Sequence, residues 1–189
     1  MQEGGEVMGH ERAFSLRGVI KDVADGALIQ NHLLLDYVSP DRRRAWVIES
    51  AWMWPVDYRA EQVPTPVDGF LSLAASLATD VLFHAQFPDI IDPSDNRLCA
   101  WAMQTYNIRD ATNDFITPNG VPLCSMCFLI DPDTMVTKEL YLNFATTSDS
   151  DSAPERDWGY MVVLRERTVT PAQSLFQQIK GMGQNILDV

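Results

Sequence analysis

At 189 residues, 46% hydrophobic and 21% charged, the chain has the size and composition of one globular domain with a sizeable core, which excludes a disordered protein. Its formal net charge of −12 repels phosphate backbones and argues against sequence-independent nucleic-acid binding. Three cysteines cannot build a disulfide framework without leaving one over, so a reducing cytoplasm is the expected site of maturation.

Residues 1–12 are rich in Gly and Glu and read as a flexible arm; lacking an apolar core, they are not expected to be a secretory signal. "AFSLRGVI" (13–20) alternates, with Phe14, Leu16, Gly18 and Ile20 on one strand face. "DVADG" makes a turn into "ALIQNHLLLDYV", where Leu28, Gln30, His32 and Leu34 oppose Ile29, Asn31, Leu33 and Leu35. The loop "SPDRRR" leads to "AWVIESAWMW", a third strand.

"GFLSLAASLATDVLF" is ambiguous, because Phe70, Leu73, Ala74, Leu77 and Val81 also fit a helical stripe. Its strand neighbours favour a strand, and Asp80 interrupts an apolar run already too short to cross a bilayer. "FPDIIDPSDNR" is a loop, "LCAWAMQTY" a strand, "PNGVP" a break, and "LCSMCFLI" a strand turned by "DPD". "TKELYLNFAT" places Leu140, Leu142 and Phe144 opposite Glu139, Tyr141 and Asn143. After the solvated loop "TSDSDSAPERD", "WGYMVVLRER" alternates Tyr160, Val162 and Leu164 against Met161, Val163 and Arg165.

The end is helical. Thr170 stands as N-cap, Pro171 opens the helix, and Gln173 closes a capping box. Leu175, Ile179 and Met182 share a face, while Gly181 and Gly183 weaken or stop the helix. The expected fold is therefore all-β, an antiparallel β-sandwich over 13–169, with a short C-terminal helix and tail over 170–189.

Chemistry-bearing residues are sparse. His10, His32 and His84 accompany no nucleophile motif, so no enzyme activity is expected. "CSMC" (Cys124 to Cys127) has metal or redox spacing, but it lies on a strand, and only Cys99 and scattered histidines remain to complete a site. Two cysteines on a β-segment, a residue type that often serves as a small hydrophobe, are the simpler reading, and no cofactor is expected. The acidic loops lack EF-hand spacing; Asp149, Asp151 and Asp157 are the residues to inspect for calcium. The basic run Arg42, Arg43 and Arg44 is too short for a nucleic-acid patch. It suits charge balance, or pairing with aspartates of a neighbouring copy.

Three of the five tryptophans fall within nine residues of one strand. A period of two puts Trp46, Ile48, Ser50, Trp52 and Trp54 on one face, and Ala45, Val47, Glu49, Ala51 and Met53 on the other. The aromatic face is expected to fill the core between two sheets. Val47, Ala51 and Met53 then face a second layer or a neighbouring subunit. A sugar platform beside Glu49 and Asp57 is the competing reading of the same rings.

"FSLRGVIKDVADGALI", "DNRLCAWAMQTY", "FLIDPDTMVTKELYLNF" and "GYMVVLRERTVTPAQSLFQQIKGMGQ", in that order, resemble segments of small virion structural proteins of marine and environmental viruses. The resemblance implies a jelly-roll-like sandwich that serves as a capsid shell subunit, or decorates or joins the shell. Its partners would be copies of itself and other virion proteins, and its location the virion after synthesis in the host cytoplasm. The alternatives are a carbohydrate- or metal-binding β-sandwich and an adaptor at a tail or portal. Histidines at ligand spacing, which a metal-binding barrel of the cupin kind needs, are missing.

Overall fold

Two antiparallel sheets face each other across one apolar core in a computed structural model that describes residues 12–24, 26–37, 43–56, 70–82, 91–92, 94–107, 126–148 and 155–187. The strands are β1 (Ala13–Val23), β2 (Leu28–Asp36), β3 (Arg44–Pro55), β4 (Phe70–Ala78) and β5 (Leu98–Asn107). They continue with β6 (Met126–Cys127), β7 (Leu129–Ile130), β8 (Glu139–Ser148) and β9 (Arg156–Thr168), and helix α1 (Pro171–Leu187) follows. One sheet has the order β1-β9-β3-β6, the other β2-β8-β4-β5-β7. The all-β sandwich expected from the alternating segments is the observed architecture.

The pairs are nested. β1 pairs with β9, β2 with β8, β3 with β6 and β4 with β5, all antiparallel. The first and third pairs lie in one sheet, joined by β9 to β3; the second and fourth lie in the other, joined by β8 to β4. Apart from β7, which adds to the edge of the second sheet beside β5, the described strands thus form one long hairpin, rolled so that successive pairs land in alternate sheets.

Alternation supplies the core. Ile48, Ala51, Met53, Trp158, Val162 and Leu164 come from one sheet and Leu73, Leu77, Leu140, Leu142 and Phe144 from the other, each at most 4% exposed. Burying each large side chain here is worth about 1.5–3 kcal/mol. Trp158 and Phe144 span the two layers, with ring centroids 6.3 Å apart. β4 explains its own ambiguity. Ser72, Ala74, Ser76 and Ala78 are as buried as Leu73, Ala75 and Leu77, so both faces are covered and no polar alternation survives in the sequence.

The tryptophan strand departs from period two. Ile48 pairs with Leu164, but Ser50 pairs with Val163, so Glu49 is an extra residue and the strand bulges there. Beyond the bulge every side chain changes face. Ala51 and Met53, expected at a second layer or neighbour, lie in the core with no exposure. Trp52 and Trp54, expected in the core, lie opposite Met161 and Gly159 on the outer face. Trp46, before the bulge, packs against the core and meets Phe14 edge-on at 4.7 Å.

β2 bulges as well. Asn31 has a φ of 55°, the left-handed region that asparagine tolerates better than most residues, and the register with β8 shifts between Ile29 and His32. Its side-chain amide donates to the Leu82 carbonyl at 2.8 Å and its carbonyl oxygen accepts from the Leu82 amide at 2.8 Å. Asn143 Oδ1 accepts from the Asn31 backbone amide at 2.7 Å. One residue therefore ties β2 to β8 and to the chain leaving β4.

"LCSMCFLI" also differs from a single strand. Met126 and Cys127 pair with β3, whereas Leu129 and Ile130 pair with β5, so the chain changes sheet at Phe128. Phe128 donates its amide to the Ala51 carbonyl at 3.0 Å and buries its ring. Helix α1 runs through Gly181 and Gly183 to Leu187 rather than stopping at them. The capping box forms as expected: Gln173 Oε1 accepts from the Thr170 amide at 2.9 Å, and Thr170 Oγ1 accepts from the Gln173 amide at 3.2 Å.

Candidate functional site

Among the described residues, the groups that could do covalent or metal chemistry are dispersed. His32 is half-buried and meets Tyr160 edge-on at 5.9 Å. Cys99 is buried, its Sγ donating to the Leu77 carbonyl at 3.2 Å; burial, with Asp131 adding to it, pushes its thiol far above the usual range. A thiol so held is inert. Cys127 is exposed; Cys124, His10 and His84 lie outside the described residues.

Asp149 and Asp151 lie outside the described residues too, and Asp157 accepts from the Asp22 amide at 3.0 Å. Among the described residues no three His, Cys, Asp or Glu side chains gather as a metal site, and no helix is long and apolar enough to cross a membrane. The "DNR" segment forms a buried clamp. The Arg97 guanidinium makes bonds of 2.6 to 3.1 Å to both oxygens of Asp95, and both side chains are 5% exposed. Arg97 also donates to the Val81 carbonyl at 3.3 Å, fastening the β4–β5 connection.

Of the basic run, Arg42 lies outside the described residues and Arg44 pairs with Glu166 of its own chain at 3.0 Å. Arg43 is exposed, and its carbonyl accepts from the Val169 amide at 2.8 Å. Val47 is half-buried in a shallow cleft of about 370 Å³, where Glu49 pairs with Arg165.

Two surfaces stand out instead. The first is the outer face of the β1-β9-β3-β6 sheet. Residues opposite one another share a face, so Arg17, Met161, Trp52 and Cys127 form one row, and Val19, Gly159 and Trp54 the next. A Cβ on Gly159 would stand 2.6 to 2.8 Å from the Trp54 indole, so that ring lies across the glycine backbone. Val19 and Val56 at the same end are 48% and 43% exposed. Glycine here lets a large ring lie against the strand and keeps the face flat.

The second surface is α1, whose amphipathicity is reversed. Its polar side chains meet the sandwich: Ser174 is buried, Gln177 donates to the Asp133 carbonyl at 3.2 Å, and Lys180 reaches Thr134 Oγ1 at 3.5 Å and Asp131 at 4.0 Å. Leu175, Phe176 and Ile179 point away, at 48%, 67% and 54% exposure. A surface helix ordinarily does the opposite. Sequence reading found the Leu175–Ile179 stripe but missed Phe176. The i, i+3, i+4, i+7 spacing of Ala172, Leu175, Phe176 and Ile179 is the signal that finds it.

Charge is divided between the sheets. Among the described residues, the β1-β9-β3-β6 side carries Arg12, Arg17, Lys21, Arg43, Arg44, Arg156, Arg165 and Arg167 against Asp22, Glu49, Glu155, Asp157 and Glu166. The opposite side carries Asp36, Asp80, Asp92, Asp95, Asp131, Asp133 and Glu139 against Arg97 and Lys138. Among the described residues, the basic excess therefore lies on the first sheet and the acidic excess on the second. No protein-family model matches the chain, and no curated protein matches it.

Proposed function

We propose that the chain is a non-enzymatic virion structural protein whose sandwich is a jelly roll and which works by packing against copies of itself. The nested pairing carries this reading: a single hairpin rolled into two sheets is the arrangement of a jelly roll, a fold that capsid proteins share with lectins and cupins. Fold alone does not choose among those three. Among the described residues, the inert Cys99 and a His32 whose ring meets Tyr160 favour the structural role, as do the apolar surfaces of α1 and of the outer sheet face. Within a virion, a shell subunit and a protein that decorates or joins the shell use surfaces of the same kind.

Size-exclusion chromatography with light scattering tests this. The purified chain is expected to exceed its 21.3 kDa monomer mass and to grow with concentration into defined assemblies. A mass of 21.3 kDa held across the whole concentration range would contradict it.

A further inference from the structure

We infer that a buried water molecule bridges Ser76 Oγ and Asn143 Nδ2 on the outer face of the β2-β8-β4-β5-β7 sheet. The site lies within one copy, so it stands apart from the self-assembly reading. Ser76 and Asn143 are directly opposite one another in the β4–β8 ladder, and neither has any exposure. They share a sheet face with Ala74 and Ala145, the reverse of the face that sends Leu77 and Leu142 into the central core. Ser76 Oγ and Asn143 Nδ2 are both sealed from solvent and have no hydrogen-bond partner among the described residues. Buried polar groups are as a rule paired, with protein or with ordered water.

The orientation of the asparagine is set from its other side. Asn143 Oδ1 accepts from the Asn31 amide of β2 at 2.7 Å, so a flipped side chain would set two N–H donors against each other. β8 lies between β2 and β4, so with Oδ1 committed to β2 the NH2 group is left for the β4 side, where Ser76 stands. An amide donor and a hydroxyl, neighbours across a ladder but not bonded to each other, call for a small molecule that accepts from the first and bonds the second. Water does both. The same-face neighbours Ala74, Ala78, Ala145 and Trp101 carry no charge, so the site fits a neutral molecule rather than an ion. The polar chain then runs from Ser76 through the water to Asn143, on to Asn31, and by two bonds to Leu82. Leu82 packs on Ala78 of the same outer row, so the water helps fasten the segment leaving β4 to a sheet face of small side chains.

A high-resolution crystal structure of the full chain tests the site directly. A water peak within hydrogen-bond distance of both Ser76 Oγ and Asn143 Nδ2 is expected. A direct bond between the two side chains, or no density between them, would overturn the inference. Ser76→Ala gives an independent reading in solution, because the two cases differ in sign. With the water in place, the variant removes one of its partners and the urea midpoint falls. If Ser76 Oγ is instead a buried group with nothing to bond, its removal leaves the midpoint unchanged or raises it, and the inference fails.

Discussion

Arg97 and Asp95 show how much a single pair can decide. Both are 5% exposed and bonded through both carboxylate oxygens, so removing the cation strands a charge in the interior. Arg97→Met is expected to cost about 3–5 kcal/mol in urea unfolding, and Asp95→Asn added to it should restore part of that loss. Asn31 is the second such residue. Asn31→Ala gives up both bonds to Leu82 and leaves alanine at a φ of 55°, a loss of about 2–4 kcal/mol. Asn31→Gly should lose less, because glycine accepts that backbone without strain. The "DNR" triplet is visible in the sequence, but the clamp joins residues two apart through a buried geometry that spacing does not reveal. An asparagine amid "LIQNHLLL" was the visible hint of a bulge, being depleted in strands and tolerant of positive φ.

At the scale of elements, alternation made most strands readable, and the errors fall where register shifts. β3 was recognised as a strand, yet its faces were exchanged after Glu49 because a bulge is set by the partner strand, β9. Gly159 in that partner matters to the outer face. Gly159→Ala would push Trp54 off the strand, with a red-shifted tryptophan fluorescence and a loss of about 1–3 kcal/mol. The helix start was legible from Thr170, Pro171 and Gln173, since capping is local chemistry. Thr170→Ala is expected to cost about 1 kcal/mol of helix stability, measured as faster amide exchange within α1 while exchange in β9 stays unchanged. What the helix does with its apolar face was not legible, because the sequence shows that a stripe exists but not which side meets the sandwich.

For the whole molecule, the sheet pairing follows from long-range contacts that no local pattern encodes; an all-β sandwich could be read, its nested order could not. The two surfaces that motivate assembly likewise arise only when β9, β3 and α1 are placed together. The central claim is that this chain exists to be repeated within a particle. Counting it by quantitative mass spectrometry in gradient-purified virus particles, taken from cultures in which it is expressed, tests that most directly. The account predicts that the chain co-purifies with the particles at a fixed, symmetric multiple per genome. Its confinement to the soluble fraction, with none in the particles, would contradict the account.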